Sequence, residues 1–188
     1  MKGIVFTELL QLVDATLGMN ACERLIDAAQ LPSGGAYTSV GTYPHAEMMA
    51  LLTQLSAATA TPVEGLLRDF GEHLFGRFAV LFPHLLAGVG TTLEFAERVD
   101  GVIHREVRKL YPDAELPKFD HERLSASRLI LTYRSARPLA DLAEGLLLGC
   151  ARHFGETLLI ERCTLESGPL FAVRFDLTCP IRAPQPTS

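Results

Sequence analysis

Cysteine is scarce and scattered in this 188-residue chain. Its four cysteines, Cys22, Cys150, Cys163 and Cys179, form no C-x-x-C pair, which excludes the disulfide framework of a small secreted domain. Long apolar runs are missing too. The longest, Phe78 to Val89, contains Pro83 and His84 and is too short to cross a bilayer. Glu8 and Asp14 interrupt the apolar start, so Met1 to Met19 does not read as a signal peptide. Positive charge is in deficit. Lys and Arg total 17 against 22 Asp and Glu, a net charge of −5, whereas nucleic-acid and anionic-membrane binders cluster positive charge. Neither class of partner is expected. There is no Walker loop, no G-x-G-x-x-G after a strand, no H-E-x-x-H and no G-x-S-x-G, so common phosphate-binding and hydrolase chemistries lack their signatures. Internal repeats and low-complexity tracts are also absent.

What remains is apolar and foldable. Hydrophobic residues make up 48% of the chain and charged residues 21%, a balance that excludes disorder. A soluble, cytoplasmic, globular protein is expected. The first two thirds read as helices. Ile4 to Leu17 carries apolar residues at three- and four-residue spacing, and Cys22 to Ala29 fits a second helix before a turn at 31–35. His45 to Leu55 gives a third. Thr61-Pro62-Val63-Glu64 and Thr91-Thr92-Leu93-Glu94 read as capping boxes. The first opens a helix to about Leu86, interrupted near Pro83. The second opens a helix whose stripe is Leu93, Ala96, Val99, Ile103, Val107 and Leu110, ended by Tyr111-Pro112.

Asp113 to Glu122 has no clear period and reads as a loop. The period then becomes two, with Leu129, Leu131 and Tyr133 alternating against Ile130, Thr132 and Arg134. Arg137-Pro138 opens an amphipathic helix closed by Gly155. Strands at about 157–165 and 170–177 flank a hairpin turn, Glu166-Ser167-Gly168-Pro169. The fold class is α+β: a helical N-terminal lobe, then a small antiparallel sheet with one packed amphipathic helix. One domain spans 1–180, with a helical lobe at about 1–60 and a second lobe at about 61–180. Residues 181–188 form a loose tail.

Two constellations carry chemistry. His104 lies at the edge of the Leu93 stripe at about 100° per residue, from which an imidazole can project into an apolar crevice; a hydrogen-bonded helix residue has the same pattern. Tyr133, Ser135 and Arg137 fall at i, i+2 and i+4 of an extended segment. They span about 13 Å on one side at ~3.3 Å per residue. A phenol, a hydroxyl and a guanidinium on one edge make a donor comb for a pair of carboxylates, or an exposed sheet face with an ordinary ion-pairing arginine.

Together these segments resemble the haem–nitric oxide/oxygen-binding (H-NOX) domain, the bacterial relative of the sensor domain of soluble guanylate cyclase. The match starts at Met1-Lys2-Gly3 and reaches about Leu177. Its strongest piece, from His104 through Tyr111-Pro112 to Pro117-Lys118-Phe119, is similar to the family's proximal-histidine helix and the loop after it. The second is the Y-x-S-x-R signature at Tyr133, Ser135 and Arg137, followed by a helix ending in His153-Phe154-Gly155-Glu156.

The resemblance implies a haem b between the two lobes. His104 would be the axial ligand to iron, bound as neutral imidazole. Tyr133, Ser135 and Arg137 would hydrogen-bond the propionates, and Pro117 would press on the macrocycle. Oxygen-binding members place a tyrosine at the position of Leu142. Val5, Leu9, Leu74, Phe78 and Leu146 should also line the distal pocket, and all are apolar. The implied function is a non-enzymatic sensor of NO, taking CO and excluding oxygen. NO would break the Fe–His104 bond and let the lobes rotate. The signal would pass to a separate histidine kinase or cyclic-di-GMP enzyme. Some members bind zinc through Cys and His in the second lobe. Here Cys150, His153, Cys163 and Cys179 are loosely spaced, and buried small hydrophobes are the expected description of the cysteines. The rival classes are a haem-free regulatory or scaffold module, binding an apolar ligand or a partner helix in the same crevice, and an enzyme using His104 as general base. The latter lacks a nucleophile or paired acid at any recognisable spacing.

Overall fold

The computed structural model describes residues 1–165 and 168–180. Helices α1 (Gly3–Leu17), α2 (Met19–Ala29), α3 (His45–Thr59) and α4 (Val63–Leu81) build the first part of the fold. Their apolar faces converge on one core of Phe6, Leu9, Leu51, Leu52 and Phe70. That core runs past residue 60, because Leu67, Phe70 and Leu74 of α4 belong to it. Pro62, with an extended ψ of 146°, is the residue preceding the α4 helix. The expected Thr61 capping box therefore does not form, and Thr61 Oγ1 turns back to Thr59 O at 3.5 Å.

Thr91 does cap its helix, accepting from the Glu94 N–H at 3.2 Å. Helix α5 (Thr92–Arg98) runs through a π turn (Val99–Ile103) into α6 (His104–Leu110). The stripe expected over this stretch is thus broken by one wide turn. Its phase shifts enough to bury His104 while Leu110 is half exposed.

Strands β1 (Lys118–Ser125), β2 (Arg128–Ser135), β3 (Leu159–Leu165) and β4 (Phe171–Thr178) form an antiparallel sheet in the order β1-β2-β4-β3. Strand β1 corrects the expected loop at 113–122. It is an edge strand, exposed at almost every position, so burial imposes no alternation on its sequence. On β2 and β4 one face follows the expected alternation, Leu129, Leu131 and Tyr133 pairing with Leu177, Phe175 and Val173 in a second core, while Ile130 and Ala172 on the other face are buried as well. Helix α7 (Ala140–Phe154) covers that core. It starts two residues after Pro138, because Leu139 N first closes a tight turn on Arg137 O at 2.9 Å. Glu166 and Ser167 of the expected hairpin turn, and the expected tail at 181–188, lie outside the described residues.

Helices α4 and α7 join the two cores by close backbone approach. A Cβ on Gly145 would lie 2.1 Å from Arg68 O, and one on Gly71 would lie 2.6 Å from Leu142 O. Beside this seam Asp141 takes Arg68 at 3.1 Å and Arg162 at 2.6 Å, tying α4, α7 and β3 together. Gly145→Ala should force the helices apart and lower the unfolding free energy by about 1–3 kcal/mol, measured by urea denaturation.

Candidate functional site: an apolar cavity between the two cores

A cavity of about 290 Å³ opens between the two cores, lined by α1, α4, the α5–α6 run, the loop at 111–117, the sheet and α7. That is near the lower end of small-molecule pockets. Its walls are almost wholly apolar. Val5, Leu74, Phe78, Leu142 and Leu146 line it, and so do Pro117, His104, Tyr133, Ser135 and Arg137. Leu9 does not. It is 1% exposed inside the N-terminal core, turned away from the cavity by its place on α1. The sequence reading missed Glu115 and Phe75, both in the cavity wall. Phe75 was within reach, one residue from Leu74 on a helix whose face was already implicated. Glu115 sits in a stretch without period and gave no signal.

His104 is 8% exposed. Its Nδ1 lies 3.5 Å from Asp100 Oδ1, an ion-pair approach at the limit of hydrogen-bonding distance, and Nδ1 makes no well-formed hydrogen bond. Burial pushes its pKa below the ordinary value, opposed by the Asp100 carboxylate. The same Asp100 oxygen accepts from the Phe119 N–H at 3.4 Å. Phe119 stands between the imidazole and Tyr133, with ring centroids 5.8 Å and 5.6 Å away respectively.

Tyr133, Ser135 and Arg137 are brought together, but not as three parallel donors. Strand β2 ends at Ser135, so the same-side rule of an extended chain no longer governs Arg137. The Tyr133 hydroxyl donates to Arg137 O at 2.9 Å, and Ser135 Oγ accepts from the Arg137 N–H at 3.0 Å. The two hydroxyls thus fix the backbone that carries the guanidinium. That guanidinium lies at the cavity wall and pairs with Glu115.

The Cys and His residues of the second lobe do not converge. Cys150 is fully buried, and burial raises its thiol pKa; Cys179 is half-buried and pushed up to about 11 for the same reason. Cys163 is exposed on edge strand β3, correcting the expectation that the cysteines are buried. His153 packs 5.8 Å from the Phe75 ring. Among the described residues no three His, Cys, Asp or Glu side chains gather to hold a metal ion.

The sequence family described as Haem-NO-binding matches residues 2–162. The chain belongs to this family, the H-NOX domains. No curated protein sequence matches it. Solved H-NOX structures do. The H-NOX protein from K. algicida, in its unliganded Fe(II) form, is 36% identical with a TM-score of 0.90, the alignment covering 97% of this chain and 98% of that one. The H-NOX from Shewanella woodyi, in its Fe(II)CO state, is 39% identical with a TM-score of 0.81, covering 100% and 97%. The S. oneidensis H-NOX in its Fe(II)NO state is 27% identical with a TM-score of 0.88, covering 96% and 100%. The chain is therefore a haem-binding gas-sensor domain rather than an enzyme. Among the described residues no helix is long and apolar enough to cross a membrane.

The residues of the H-NOX cavity fit haem: apolar walls for a flat macrocycle, a buried imidazole biased toward its neutral, metal-binding form, and a guanidinium for a carboxylate. The folded chain resists protonating His104, whereas the unfolded chain protonates it at the ordinary 6.5. Stability should therefore be full above about 6.5 and decline as pH drops below it. In urea denaturation of the haem-free chain, His104→Leu should flatten that decline.

Proposed function

We propose that this H-NOX domain senses NO at ferrous haem b, also takes CO, and rejects oxygen. One observation carries the reading: a buried, neutral-leaning histidine in an apolar cavity with a guanidinium in its wall. When bound, haem supplies the ferrous iron at which diatomic gases are taken up. No C-x-x-C-H motif is present for covalent attachment, so the chain's own side chains must hold the cofactor. His104 would hold the iron through its neutral imidazole. Arg137 would take a carboxylate of the cofactor, and Tyr133 and Ser135 hold its backbone in place. Pro117, on the loop that follows α6, would bear on the bound group.

Gas preference follows from what the other wall withholds. Holding oxygen in the cavity would call for a hydrogen-bond donor in that wall, whereas holding NO would not. Val5, Leu74, Phe78, Leu142 and Leu146 offer none. In signalling, NO would free His104 from the iron, and the N-terminal helices would then rotate against the sheet lobe. A separate histidine kinase or cyclic-di-GMP enzyme in the cytoplasm receives that motion. The free cysteines suit such a reducing compartment.

Optical spectra of the purified chain test this reading. NO and CO should move the Soret band of the ferrous protein and oxygen should not. His104→Gly should abolish the iron–imidazole stretching band, which NO should also remove from the wild type. Leu142→Tyr should gain a stable oxygen complex. A colourless protein that gains no Soret band with added haemin would favour the haem-free module instead.

A further inference from the structure

Arg137 already carries a carboxylate supplied by the chain itself. Glu115 stands on the loop between α6 and β1. It pairs its carboxylate with one arm of the guanidinium, and its carbonyl oxygen accepts from the other arm at 3.2 Å. One residue therefore occupies the fork at two points. Exposure across the pair is lopsided: the Arg137 side chain is 16% exposed and that of Glu115 80%. The arginine belongs to the cavity wall, and the acid reaches it from the solvent side. The next acid along the loop, Asp113, is committed elsewhere, to Lys2 Nζ at 3.1 Å and Thr42 Oγ1 at 2.5 Å. Among the described residues no other carboxylate pairs with Arg137.

We propose that Glu115 is an exchangeable latch at the mouth of the cavity: its carboxylate holds Arg137 and yields it to a carboxylate of the entering cofactor. The inference rests on the haem reading above and adds to it a residue that governs loading. Exchange of like for like keeps the guanidinium paired throughout. The displaced carboxylate returns to water with little loss, because an exposed ion pair is weakly held. A carboxylate bound to the same guanidinium from within the drier cavity is held more firmly. Glu115 therefore slows entry without blocking it, and it competes only against ligands that bring a carboxylate.

Stopped-flow mixing of haemin with the full chain, freed of haem, tests the latch through the rise of the Soret band. Glu115→Gln should raise the association rate constant by about two- to five-fold, the span an exposed ion pair contributes. Haemin dimethyl ester, which has no free carboxylate, should enter both proteins at one rate. In an Arg137→Ala background Glu115→Gln should change nothing. Far-UV circular dichroism checks that the fold is kept. Equal haemin rates for wild type and Glu115→Gln would overturn the latch, as would equal acceleration of the ester. Failure of the wild type to take up haemin at all would overturn the haem reading and the latch with it.

Discussion

The contact between α4 and α7 is the constraint on which the rest of the molecule depends. Each helix serves two masters: α4 gives one face to the N-terminal core and another to α7, and α7 gives its far side to the sheet. Gly71 and Gly145 let the backbones meet, and that meeting fixes the distance between two separately packed interiors. The cavity lies beside this seam, where the cores diverge. Leu74 and Phe78 come to it from α4, and Leu142 and Leu146 from α7.

Chemistry enters the cavity from elements that the seam leaves free. The α5–α6 run delivers His104, and the end of β2 delivers Arg137. Between them Phe119, the first inward residue of β1, touches both the imidazole and the Tyr133 ring and takes Asp100 on its N–H. The imidazole and the tyrosine that holds the Arg137 carbonyl are thus linked through one aromatic ring.

Much of this was legible in the residues. The helices of the N-terminal part follow from apolar spacing, and β2 and β4 from large apolar residues at every second position, because the face turned to the core must match the period. His104 and the Tyr133–Arg137 stretch were marked by residue type and by resemblance. Three features escaped for physical reasons. Strand β1 is an exposed edge with no burial to pattern it. The inward use of the Tyr133 and Ser135 hydroxyls depends on where the chain leaves the strand, which is a matter of a single residue. Leu9 is a pocket position only by resemblance, and its side chain packs inside the first core. Glu115 shows the other limit, since a contact between residues 22 apart in the chain leaves no trace in local spacing.

The π turn at Val99–Ile103 has a consequence for the length of the chain. A turn of this kind accommodates one residue more than regular winding does. Were the same residues wound as ordinary helix instead, everything beyond would swing by about 100°. The imidazole would leave the cavity although every side chain in the wall was unchanged. Removing one residue while restoring ordinary helix would cancel that swing, so the place of His104 is set jointly by the width of this turn and the number of residues in it.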